Sequence, residues 1–150
     1  MRILVIHPYF LERGGAERKI LLLANHLISM GHDVEIFCFK KDIEKSFSEL
    51  AKNLDIRSFK FSSVGRFLDF KRKSQFDLGI ASNYPAHFLM LFFKLLRNIN
   101  KTIWICNEVH SSLHDKKKLK HKLIIPIEKY IVKYFDLIIS KIGRAHVWTP

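Results

Sequence analysis

The chain has 150 residues, 48% of them hydrophobic, which suits one domain with a sizeable core and argues against disorder. Its 26 Lys+Arg against 14 Asp+Glu give a formal net charge of +12, which favours anionic partners: nucleic acid, phosphorylated ligands or an acidic membrane face. Two cysteines in apolar runs argue against a disulfide framework and for buried thiols, and no apolar run reaches the ~20 residues that span a bilayer.

Residues 3–6 are a continuous apolar run rich in β-branched side chains, the pattern of a strand buried on both faces. The run is too short for a signal peptide, and Pro8 ends it. A loop with Gly14 and Gly15 follows. Apolar residues at 16, 20, 23, 24, 27 and 28 then predict a helix that stops at Gly31. Residues 34–39 read as a second strand, completing a strand–helix–strand unit with a right-handed crossover.

The alternation continues. Asp42 can cap a helix over 43–54, residues 56–61 form a weaker strand, and 64–73 a short basic helix. Residues 78–81 are a strand, and Pro85 opens an apolar helix to about Asn98. Residues 102–106 are the next strand. A Lys-rich helix follows, interrupted near Pro126 and resuming over 128–134, and 137–139 is the last strand. Strands and helices in this order predict an α/β fold: an open, mostly parallel sheet with helices on both faces. Residues 142–150 have neither periodicity nor a cap and read like a translated sequencing adapter, so 141–150 are expected to be a non-native tail.

Open α/β sheets take ligands beyond the carboxyl ends of their strands. There the loop from Glu12 to Glu17 meets the start of the first helix, whose unpaired amides and partial positive charge suit phosphate. Gly14 and Gly15 let a backbone approach closely, although their spacing is neither the dinucleotide fingerprint nor a Walker loop. A plain tight turn explains the two glycines equally well. Glu17 suits the first turn of a helix without any further role. No histidine has metal-ligand spacing with cysteines or carboxylates, so no metal site is expected.

Three stretches carry a resemblance to a known family. They are Arg2 to His7, the Gly-Gly-Ala-Glu-Arg run at 14–18, and the Met-Gly-His-Asp-Val run at 30–34. The likeness continues through 76–80, 83–86, 103–108 and 135–140. This chain resembles the start of family 4 glycosyltransferases, over residues 1–140. The resemblance implies the Rossmann-like N-terminal, acceptor-side domain of a GT-B fold, itself incomplete, with the C-terminal donor-binding domain and its paired glutamates missing. It implies a retaining transfer from a nucleotide-sugar to a glycan or lipid-linked acceptor, as in cell-envelope polysaccharide synthesis. No cofactor or metal is implied, and the 150 residues alone are expected to be inactive.

In that reading Gly14 and Gly15 lie near the donor phosphates. His110 is the catalytic candidate, displaced from the position just before a Glu where relatives carry a His; this chain has Asn107 there, followed by Glu108. His7, Tyr9, Arg13, Glu17, Asn83, Tyr84, Asn107 and Glu108 are the acceptor-contact candidates. For His7 a packed strand end, and for His110 a plain loop histidine, are the alternatives. The basic run 116–122, Lys71 to Lys73 and the apolar stretch 88–96 suggest peripheral contact with an anionic membrane, against the alternative of a solvated face over a core helix. The expected location is cytoplasmic or at the inner face of the plasma membrane. A non-catalytic module binding phosphorylated ligands is the alternative function. Nucleic acid is not expected, because the basic residues are not interleaved with aromatics.

Overall fold

The computed structural model describes residues 1–58, 75–106, 126–127 and 129–140. In chain order the elements are β1 (Arg2–Ile6), β2 (Tyr9–Phe10), α1 (Gly15–Ser29), β3 (Asp33–Cys38), β4 (Lys40–Lys41), α2 (Ser48–Ala51), β5 (Asp55–Ser58), β6 (Phe76–Ser82), α3 (Ala86–Leu95), β7 (Ile99–Cys106), a 3-10 turn (Val132–Tyr134) and β8 (Leu137–Ser140). Six strands form one parallel sheet in the order β5-β3-β1-β6-β7-β8, and β2 pairs with β4 in a small parallel ribbon. The fold is the α/β, Rossmann-like architecture that the strand–helix rhythm predicts.

Alternation along β1 divides the core into two layers. Ile3 and Val5 point to the side where Ile20, Leu21 and Ala24 of α1 pack, together with Val34, Ile36, Ile80 and Ile105. Leu4 and Ile6 point to the other side, against Ala86, Met90, Leu91 and Phe93 of α3, with Ala81 and Trp104. Ile3, Leu4, Val5 and Ile6 of β1 are all buried, and full burial of such a Leu or Ile contributes about 1.5–3 kcal/mol. Gly79, paired with Leu4, lies under α3: a Cβ there would stand 2.3 Å from Met90 Sδ and 3.0 Å from Ile99 Cγ2.

Both long helices end at a residue with positive φ. Gly31 (φ +80°) closes α1: its N–H donates to Ile28 O at 2.9 Å, and His32 N–H to Leu27 O at 3.1 Å. The same pair of bonds closes α3, from Arg97 to Lys94 (2.9 Å) and from Asn98 to Phe93 (3.1 Å), with Arg97 at φ +59°.

The helix expected over 43–54 contracts to the single turn α2. Ser46 N–H bonds Asp42 O at 3.1 Å, but the turn does not propagate, and Asn25 Nδ2 of α1 donates to Leu50 O at 2.8 Å. Ile43, Phe47, Leu50 and Leu54 still pack on the core, so the periodicity reported burial rather than a continuous helix. The helix expected to run to Tyr134 finishes as the 3-10 turn. The basic helix at 64–73, the basic run at 116–122 and the tail at 141–150 lie outside the described residues. Cys38 and Cys106 are buried and form no disulfide with each other, and burial pushes the Cys38 thiol up to about 11. Among the described residues no helix is long and apolar enough to cross a membrane.

Candidate functional site

The crossover from β1 through α1 leads to β3, on one side of β1. The crossover from β6 through α3 leads to β7, in the opposite direction. β1 and β6 are neighbours, with Ile6 opposite Ala81, so the connections diverge above their carboxyl ends and leave a crevice. The segment after β1 forms one wall, and the turn after β6 forms the other.

The first wall is zipped to its neighbour before it reaches the glycines. His7 N–H donates to Phe37 O (2.9 Å), Phe39 N–H to Pro8 O (2.9 Å) and Asp42 N–H to Phe10 O (2.6 Å). The chain then passes Leu11 to Arg13 and enters α1 at Gly14, an extended residue (φ −91°, ψ 160°). The first helical bond runs from Arg18 N–H to Gly14 O at 3.1 Å. The N–H groups of Gly15, Ala16 and Glu17 precede it and have no carbonyl of the helix to bond, the condition that suits an anion. A Cβ on Gly15 would meet nothing within 4 Å, so the space beside it is open.

Glu17 turns back toward this helix start. Its Oε2 lies 2.1 Å from where a Gly14 Cβ would stand, and its Oε1 is 3.7 Å from His7 Nε2. His7 is only 2% exposed, packs 4.9 Å from the Phe10 ring, and is pushed down to about 4 by burial, partly offset by the Tyr9 backbone. It is therefore neutral at physiological pH, and its contact with Glu17 is not an ion pair. No partner reaches hydrogen-bond geometry at His7 Nδ1 among the described residues.

Tyr9, the next acceptor candidate, is exposed in β2 with its ring 6.3 Å from that of Phe39. Arg13 turns away from the crevice: its guanidinium pairs with Glu49 of α2 and lies 4.8 Å over the Phe47 ring. On the second wall Asn83 adopts φ +62°, with its N–H donating to Ile105 O at 3.2 Å and its O accepting from Ala86 N–H at 3.1 Å. Tyr84 is partly exposed, edge-on to Phe88 with ring centroids 5.8 Å apart. The structure thus brings His7, Gly14, Gly15 and Glu17 together, puts Asn83 and Tyr84 at the neighbouring strand end, and keeps Arg13 apart. Asn107, Glu108 and His110 lie outside the described residues.

Two residues here went unread in the sequence. Ser82 ends β6, is 0% exposed, and its Oγ has no hydrogen-bond partner among the described residues. His87 is fully buried and stacks on Trp104, with ring centroids 4.6 Å apart and planes 18° from parallel. A serine closing an apolar strand, and a histidine in the first turn of an apolar helix, were the available signals.

The sequence model of Glycosyltransferase Family 4 matches residues 13–140 of this chain. No curated protein and no solved structure matches it.

Proposed function

The chain belongs to glycosyltransferase family 4, and on that premise we propose that it forms the acceptor-side wall of a two-domain, GT-B-type cleft. A sugar passes there from a nucleotide-sugar to a glycan or lipid-linked acceptor, with its anomeric configuration retained. The bond broken joins the anomeric carbon to the donor phosphate oxygen. The bond formed joins that carbon to an acceptor hydroxyl oxygen, whose proton leaves to the departing nucleoside diphosphate or a nearby base. A donor-binding domain of the same protein would complete the cleft, and the 150 residues alone would not turn over.

One observation carries the reading: the Gly15, Ala16 and Glu17 amides open α1 at the crossover switch, with free space beside Gly15. Donors fixed in that place stabilise the negative charge that grows on a leaving diphosphate. In this reading His110 serves as base or orients the sugar. Asn107, Glu108, His7, Tyr9, Asn83 and Tyr84 line the acceptor side. Arg13 contributes only if its pair with Glu49 opens. No cofactor is needed beyond the donor substrate. The work would be done in the cytoplasm, on cell-envelope polysaccharide, with peripheral contact to the inner membrane face.

The test is an amide-resolved NMR titration of the chain with uridine and guanosine diphosphates. Shifts should centre on Gly14 to Glu17 and disappear in Gly15→Val. Absent shifts, or shifts centred on another edge of the sheet, overturn the reading.

A further inference from the structure

We infer that the outer face of α3 docks on an anionic bilayer, which sets the mouth of the crevice at the membrane. The surface stands apart from the transfer reading of the preceding subsection. One consequence rests on that reading: an acceptor carried by a lipid would meet the crevice wall without leaving the bilayer surface.

α3 is apolar on both sides. Ala86, Met90, Leu91 and Phe93 pack on the sheet. On the other side Phe88, Phe92 and Leu95 follow one another at helical spacing, with Tyr84 just ahead of them in the turn after β6. Tyr84 is 38% exposed, Phe92 45% and Leu95 78%, and Tyr84 stands edge-on to Phe88. A surface helix ordinarily turns polar residues to water. The polar side chains of α3 are His87 and Lys94; His87 is buried on Trp104, and Lys94 reaches across to Asp136. A helix of this length spans about 15 Å, too little to cross a bilayer, so it lies along the interface. The ridge starts at Tyr84, which belongs to the second wall of the crevice, so a bilayer laid along α3 reaches that wall.

The charge around the ridge selects the partner. From Tyr84 to Lys101 the chain has Lys94, Arg97 and Lys101 and no acidic residue. Lys94 Nζ donates to Tyr134 O at 2.8 Å, which sets the 3-10 turn beside the end of α3. There Tyr130 and Tyr134 are exposed, and Lys133 Nζ lies 3.9 Å over the Tyr130 ring. Asp136, the acid next to them, is taken up by Lys94 and Thr102. Aliphatic, tyrosine and cationic side chains on one surface suit a head-group layer: the apolar parts enter the acyl boundary, while hydroxyl and cationic groups stay among the phosphates. A second copy of the chain is a poorer occupant, because each carries a formal net charge of +12 and would bring the same cations to the contact.

The experiment floats the 150-residue chain with vesicles of phosphatidylcholine alone and of phosphatidylcholine mixed with phosphatidylglycerol. Wild type should rise mainly with the anionic vesicles. Phe92→Glu and Leu95→Glu should each lower that flotation severalfold, since each takes an apolar side chain out of the contact. Leu22→Glu, at an exposed position of α1 on the other side of the sheet, adds the same charge and should change it little. An equal loss in Leu22→Glu reduces the effect to net charge and overturns the inference. Equal flotation with neutral vesicles, or no flotation of wild type, overturns it as well. A second readout does not depend on a disruptive variant. Cys38 and Cys106 are buried, so an environment-sensitive fluorophore can be placed on Leu95→Cys or Leu22→Cys. Its emission should shift to the blue on anionic vesicles at position 95 and not at 22; the reverse pattern overturns the inference. Light scattering reads the competing occupant: a wild-type dimer that Phe92→Glu makes monomeric assigns the face to a second copy and overturns the inference too. None of these readouts involves a nucleotide, so they succeed or fail independently of the diphosphate titration.

Discussion

The Lys94 ammonium, at the end of α3, donates to Asp136 Oδ2 at 2.7 Å, just ahead of β8. The same oxygen accepts from Thr102 N–H (2.7 Å) and Thr102 Oγ1–H (2.9 Å), and Lys94 Nζ also donates to Tyr134 O at 2.8 Å. One carboxylate thereby joins α3, β7 and the entry to the edge strand.

Asp136→Asn should lower stability at pH 7 by about 1–2 kcal/mol, after discounting the charge contribution for a carboxylate that is nearly half exposed. The Lys94 hydrogen bond is the largest cause of its depressed pKa, with the Thr102 backbone and hydroxyl adding to it, and together they take it down from 3.8 to about 2. A lowered folded pKa means stability that is present above about pH 4 and lost between about 4 and about 2. Urea denaturation of wild type and variant across that range should show their difference shrink as pH falls.

His7 works with the opposite sign. Its pKa falls from 6.5 to about 4 on folding, so between those values the unfolded chain binds more protons. Stability should therefore drop by about 3 kcal/mol as pH falls from 6.5 to 4, a slope that His7→Gln removes. The readout is the urea midpoint of both proteins at several pH values in that window.

Gly79→Ala should destabilise by about 1–3 kcal/mol, since its Cβ would press on Met90 Sδ and on the branched Ile99 side chain. Met90→Ala alone opens a cavity and is costly, but the double variant should be less destabilised than the sum. A thermal-melt double-mutant cycle reads this coupling, and strict additivity would mean that α3 does not rest on Gly79.

Arg97→Gly should raise stability by about 0.5–1 kcal/mol. Arginine at φ +59° carries the strain of a left-handed backbone, which exceeds the extra unfolded-state freedom that glycine brings. Chemical denaturation detects a gain of this size.

Leu95 is 78% exposed at the end of an otherwise apolar helix, next to Lys94. If the protein docks on an anionic bilayer through this end of α3, Leu95→Glu should reduce co-flotation with phosphatidylglycerol vesicles severalfold. Equal flotation of both proteins moves any membrane contact to another surface.

The sheet was legible because its central strands carry short continuous apolar runs punctuated by helix stops such as Gly31. Periodicity alone mistook 43–54 for a continuous helix: Ile43, Phe47, Leu50 and Leu54 repeat at helical spacing because they cover one core layer, while Asn25 takes up the Leu50 carbonyl from outside. At the site, Gly14, Gly15, Glu17 and His7 could be grouped from strand-end placement. The turn of Arg13 toward Glu49 was hidden, since an ion pair 36 residues apart in sequence leaves no local trace. Ser82 and His87 went unread for a similar reason: burial of a polar side chain is decided by tertiary neighbours.

The pairing of β2 with β4 has a consequence for ligand entry. Only residues 11–14 separate that ribbon from α1, and Arg13 within them is tied to Glu49 and Phe47. The backbone at the mouth of the crevice is thus preorganised, and an arriving ligand would spend little of its affinity on ordering a loop. Adaptation to different ligands would fall to side chains, while the amide scaffold stays in place.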